Sequence, residues 1–140
     1  MQFGLTVLIS ALFIGLCGLH LFWFMGGKLG LASAIPSLNG VPAFIPSKMA
    51  ILLVALALFA AALVVAAAGD LLRLGLPSYV ISAMAWILAA ILAVRAIGDF
   101  RLVGFFKSVR KSKFATRDTL VYSPLCVFLS AGTAILILSR

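Results

Sequence analysis

Six side chains carry chemistry that a hydrophobic chain has no use for as filler: His20, Trp23, Arg95, Asp99, Asp118 and Tyr122. An imidazole titrates near neutrality, so His20 is the one side chain suited to moving a proton at physiological pH. Arg95 and Asp99 stand four apart, one above the other if helical, and would halve each other's desolvation problem by pairing. The order, cation before anion, is the weaker one for a helix dipole, and Arg95 alone would snorkel to the interface. Asp118 reads as a cap at the start of a helix, or else Asp99 or Asp118 is the acid that orients His20. Trp23 and Tyr122 would line whatever the others surround. A lone histidine near the end of an apolar run also reads as a hydrogen-bonded structural residue.

The elements that position these groups are membrane helices. Of 140 residues, 65% are hydrophobic and 10% charged, whereas a soluble domain carries about 25% charge. Lipid must replace the missing polar surface. Four apolar runs reach the ~20 residues that cross ~30 Å of hydrocarbon: about 3–25, 49–69, 78–98 and 119–139. The expected fold is an all-α integral membrane protein, a single domain over 1–140. Its four transmembrane helices form an antiparallel bundle with an interfacial first loop and a basic third loop. The first run lacks a basic leader and exceeds a signal-peptide core, so it reads as a retained helix. In the fourth, Pro124 must either begin the regular helix or kink it; with Ser123 as cap and Pro124 in the first turn, that helix would be short.

Charge sets the orientation. Lys28 and Lys48 lie in the first loop, and Arg101, Lys107, Arg110, Lys111, Lys113 and Arg117 in the third. The positive-inside rule puts both loops in the cytoplasm and both termini outside. His20, Trp23, Arg95, Asp99, Asp118 and Tyr122 then share one layer near the cytoplasmic face, and they form the candidate ligand-binding set. Leu102, Phe106 and Val109 recur at helical spacing, with Lys107 and Lys111 one turn apart. The third loop therefore reads as a short interfacial helix whose Arg101, Lys107, Arg110, Lys111 and Lys113 meet anionic headgroups. Pro36, Pro42 and Pro46 break the first loop, yet its Leu31, Ile35, Val41, Phe44 and Ile45 ask for cover. That loop is expected to fold back over the bundle as a flap.

Small residues recur at helix-packing spacing: Ala11/Gly15, Ala57/Ala61, Ala62/Ala66 and Ala85/Ala89/Ala93. They read as contacts within the bundle, or as an interface with a second copy. The short link 70–77 makes the second and third spans antiparallel neighbours.

The same residues resemble a known family. His20-x-x-Trp23 with Gly26-Gly27, Ala34-Ile35-Pro36, and Arg95-x-x-Gly98-Asp99-Phe100-Arg101 are its matching stretches. Gly104-Phe105-Phe106-Lys107, Phe114, Asp118 and Tyr122-Ser123-Pro124-Leu125 complete them. The pattern is similar to a bacterial family of small four-span membrane proteins, domain of unknown function 3995. The resemblance implies a four-helix membrane fold and, with the charge bias, a place in the bacterial cytoplasmic (inner) membrane. It implies no activity.

Missing residues exclude several chemistries. One histidine cannot ligate haem twice. Cys17 and Cys126 form no Cys-x-x-Cys pair and read as inert buried thiols. The middle of the membrane has no carboxylate to couple protons to drug export, and zinc has no ligand set. No cofactor and no metal are expected, and nucleic acid is not a partner. The expected partners are membrane lipids, other membrane subunits or a second copy. Three functions stay open: a non-catalytic membrane subunit or lipid-like-ligand-binding module, an isomerase-like enzyme moving a proton through His20 on a sterol- or isoprenoid-like substrate, and a homodimeric transporter.

Overall fold

The computed structural model describes residues 2–139. Four of its helices are long and apolar enough to cross a membrane: Gln2–Phe24, Lys48–Ala68, Ser78–Ile97 and a continuous rod from Lys113 to Leu138. The chain is thus a multi-pass membrane protein built as an antiparallel four-helix bundle. In order, the elements are α1 (Gln2–Phe24), α2 (Leu31–Ala34), β1 (Ser37–Leu38), β2 (Val41–Pro42), α3 (Lys48–Ala68) and α4 (Ser78–Ile97). The last rod comprises α5 (Lys113–Arg117), a π-helical turn (Asp118–Tyr122) and α6 (Ser123–Leu138).

Local chemistry closes each helix. At the end of α1, Gly26 adopts φ 101°. The amides of Gly26 and Gly27 donate back to the carbonyls of Trp23 and Phe22, the paired bonds of a Schellman cap. A Cβ on Gly27 would displace the exposed Phe22 ring, which lies against it. Ser47 caps α3 by accepting from the Ala50 amide at 3.1 Å, and Ser112 caps α5 through the Ala115 amide at 3.0 Å.

The fourth helix departs from the sequence reading. It begins at Lys113, not near 119, and runs through Pro124 without a break. A proline inside a helix lacks the N–H and crowds the carbonyl one turn back. The π-helical turn immediately ahead of it, in which the Ser123 amide donates to the Asp118 carbonyl, widens the helix where that crowding would fall. Asp118 is therefore not a cap; it sits within the rod.

The third loop also departs. Residues 98–112 form no helix among the described residues but a compact series of bends and turns. Gly98 and Gly104 sit at φ 91° and 88°. A side chain on either would strike the other's strand of backbone. The first loop does fold back. Its α2 packs on α5, which sets both long loops at one end of the bundle. Asn39 and Gly40 (φ 50° and 82°) turn the tiny β1–β2 hairpin, pairing Leu38 with Val41.

The core is concentrated toward the other end, where the short link joins α3 to α4. There Ile9, Val65 and Leu136 are fully buried, and Val64, Ala67 and Ala68 of α3 meet Ile81 and Ala85 of α4. A Cβ on Gly69 would collide with Thr6, so α1 and α3 touch almost backbone to backbone. Ala61, Ala62, Ala66, Ala85 and Ala89 are buried as expected for packing residues. Ala11, Gly15 and Ala57 are exposed instead, and Ala93 is only half-buried.

Candidate functional site

The loop end is held by one carboxylate. Asp118 is completely buried. Its Oδ1 accepts from Arg95 Nη2 at 2.9 Å, and its Oδ2 accepts from the Gly104 amide at 2.7 Å and from Lys107 Nζ at 3.0 Å. Lys107 Nζ donates further to the Gly104 carbonyl (2.8 Å) and to Thr119 Oγ1 (2.6 Å). The residue expected at lipid headgroups is thus an interior cation, 2% exposed. Lys107 lies inside because the two glycines fold the loop tightly enough to bring its ammonium onto Asp118. Arg101, Arg110, Lys111 and Lys113 do remain exposed.

Arg95 does not pair with Asp99. Asp99 belongs to the loop itself: its Oδ1 accepts from the amides of Arg101, Leu102 and Val103 at 2.7–2.9 Å. The hydrogen bonds from Val103, then Arg101 and Leu102, stabilise the ionised form and hold its carboxyl below the usual carboxylate value. Asp99 is a loop organiser at the surface and leaves the candidate ligand set.

Beside this lock lies a cavity of about 730 Å³. Its polar end is made by His20, Trp23, Arg95, Arg117 and Tyr122; most of the remaining wall is apolar, including Leu16, Leu58, Leu92 and Leu125. The floor is the packed core, where Phe13 and Leu129 are each 1% exposed. The lining thus unites four of the six residues singled out in the sequence. Asp118 stands behind Arg95, and Asp99 stands outside. Sequence reasoning missed Arg117 and Cys126 as lining residues, because one looked like a loop charge and the other like an inert thiol.

Three of the polar lining groups, His20, Trp23 and Tyr122, have a defined tie. His20 Nδ1 lies 2.8 Å from the Leu16 carbonyl oxygen, an acceptor only, so Nδ1 is the donor of that bond. Its ring meets Trp23 edge-on with centroids 4.9 Å apart. Trp23 Nε1 donates to the Leu29 carbonyl at 2.9 Å, and Tyr122 Oη to the Ser33 carbonyl at 3.3 Å, which fasten the first loop over the cavity. Among the described residues no hydrogen bond joins His20 to a carboxylate, and Asp118 is engaged by Arg95, Lys107 and the Gly104 amide.

The electrostatics are unbalanced. Arg95 and Lys107 share a single anion, and Arg95 Nη1 is enclosed without a hydrogen-bond partner. Arg117 adds a further cation to the same wall. Such an excess beside an apolar chamber favours an anion or a carbonyl oxygen.

A family model described as "Protein of unknown function (DUF3995)" matches residues 13–133, which include most of the bundle, the lock and the cavity lining. The chain belongs to this family. No curated protein and no solved structure matches it. The stretches by which the DUF3995 resemblance was read now have places. Arg95, Gly98, Asp99, Gly104, Lys107 and Asp118 build the lock, while His20, Trp23 and Tyr122 line the cavity and Phe114 stacks near Tyr122 at 6.0 Å between centroids.

Proposed function

We propose that this DUF3995 protein is a non-catalytic membrane module that binds a lipid-like amphiphile, its anionic or carbonyl head against Arg95 and Arg117 and its apolar part in the chamber below. The observation that carries this reading is the chamber's lining: cations in excess of carboxylates at one end, and mostly aliphatic side chains at the other. Ligand sites commonly take this form, apolar walls with a few converging polar groups. The blind floor at Phe13 and Leu129 suits retention more than passage. The basic loops favour a cytoplasmic placement of the polar end, in the inner membrane, with both termini outside.

Trp23 reports on the chamber, being 8% exposed and part of its wall. In a Trp86→Phe variant it is the sole tryptophan. In phosphatidylcholine vesicles, α-bromohexadecanoate, with its quencher beside the carboxylate, is expected to quench Trp23 saturably. Its uncharged methyl ester is expected to need about tenfold more. Equal, non-saturating quenching by acid and ester means that Trp23 senses only bulk lipid, and the binding reading fails.

A further inference from the structure

The chamber is not closed on all sides. A second, shallower hollow of about 420 Å³ runs between α3 and α4. The two share Phe13, Val54, Leu58, Ile91 and Leu92 as lining, so they adjoin across these side chains. From the shared wall the crevice continues toward the link between Ala57, Ala60 and Val64 on one side and Met84, Ile87 and Leu88 on the other.

The helices themselves explain the opening. The residues that bury α3 against α4 are Val64, Ala67 and Ala68 with Ile81 and Ala85, all toward the link. Nearer the loops, α3 packs mainly on α1, and α4 on α6. At Ala57 and Ala60, α3 presents a methyl group where a leucine would have filled the gap. The pair is therefore joined at its link end and parted along the half that faces the chamber.

Given the amphiphile-binding reading, on which this step rests, we infer that the α3–α4 crevice is the seat of the ligand's tail and its lateral route from the bilayer. The occupant is a single long alkyl or isoprenoid chain carrying an anionic head. The head is drawn to the surplus cations at Arg95 and Arg117, and the chain continues past Leu58 and Leu92 into the crevice. Length agrees. Val54 to Val64 spans about 15 Å of helix, half of the ~30 Å hydrocarbon thickness. Val54 stands six residues in from Lys48 and Val64 four short of Ala68, so this stretch straddles the middle of the bilayer, and an extended chain with its head at the loop end reaches past the midplane into it. Polar groups are confined to the chamber; apart from its shared wall the crevice is lined by alkyl side chains, so it adds affinity by burying methylenes without choosing the head.

The test varies chain length and plugs the crevice. Ala57 and Ala60 are exposed positions, so Ala57→Phe and Ala60→Phe fill the crevice without overpacking the core. Leu56→Phe, on an exposed residue outside the crevice, is the control. Binding of α-bromohexadecanoate and α-bromohexanoate is read by Trp23 quenching in the Trp86→Phe background, each variant relative to its parent. Either plug is expected to weaken the long-chain probe about tenfold or more. The short-chain probe should be unaffected, and it also reports that the chamber is intact. Equal binding of both probes in parent and plugged proteins overturns the tail assignment while leaving head binding standing. Failure of both probes in the unplugged parent overturns the binding reading itself. A plug that removes both probes is resolved with the unplugged chain and a hexadecanoate bearing a photoreactive diazirine at its methyl end. Label on 57–64 and 84–88 supports the assignment, and label confined to α1 or α6 refutes it.

Discussion

The two ends of this bundle solve the problem of helix association in opposite ways. At the link end, alanine and glycine bring backbones together, and Ile9, Val65 and Leu136 fill what remains. Dispersion between close surfaces does the work, as it must in lipid, where burial from water offers no gain. At the loop end the helices stand apart around a chamber, and one carboxylate shared by two cations ties α4, the third loop and the fourth helix. Close packing leaves no room for a ligand. A charged tie holds the helices at a distance and leaves one.

If charge holds the loop end, Asp118→Ala should cause the largest loss. It leaves Lys107, whose side chain is 1% exposed, and Arg95 without their anion. Removing one partner of a buried pair costs about 3–5 kcal/mol, a large part of the 5–15 kcal/mol typical of folded proteins. Thermal unfolding in detergent measures it. Replacing both partners together, Asp118→Leu with Lys107→Met, should lose markedly less, because no charge is then stranded.

At the packed end, Gly69→Ala forces a methyl group onto Thr6 and should cost about 1–3 kcal/mol by overpacking. The matching enlargement at the hollow end, Ala57→Phe, should change stability by less than about 0.5 kcal/mol. Equal penalties at the two sites would erase the distinction between a filled half and an open one.

The smallest effect concerns the loop. Asp99 is held ionised by three amides, so its folded-state pKa lies below the unfolded value near 3.8. Its contribution is complete above that value and fades as pH falls through the lower, folded one. Limited proteolysis of 98–112 should accelerate as the pH falls below about 4. In Asp99→Asn the loop should open more readily at neutral pH, with that acid dependence reduced.

The spans were readable because hydropathy is a property of whole twenty-residue runs, insensitive to any one side chain. The start of the fourth helix was not readable for the converse reason. Lys113, Arg117 and Asp118 interrupt the apolar run, and only distant partners make Asp118 tolerable there. Pro124 looked like a first-turn residue, whereas a π-helical turn accommodates it mid-rod. Arg95 had two carboxylates to choose from, and nearness in sequence favoured Asp99 over the correct Asp118. Lys107 followed an amphipathic spacing, although Gly98 and Gly104 on either side of Asp99 were the better signal, since paired glycines mark a tight turn. Asn39-Gly40, a hairpin signature, was present but unused. The common layer of His20, Trp23, Arg95 and Tyr122 was legible because topology alone puts their depths in register.

The central claim is that the loop-end chamber is an occupied amphiphile site, and an experimental map of the chain in lipid nanodiscs tests it most directly. The expected result is elongated density with its head beside Arg95 and Arg117, bordered by His20 and Tyr122, and its tail between α3 and α4. A chamber closed by contact of Leu58 with Leu92, with lipid density confined to the outer surface, would contradict it.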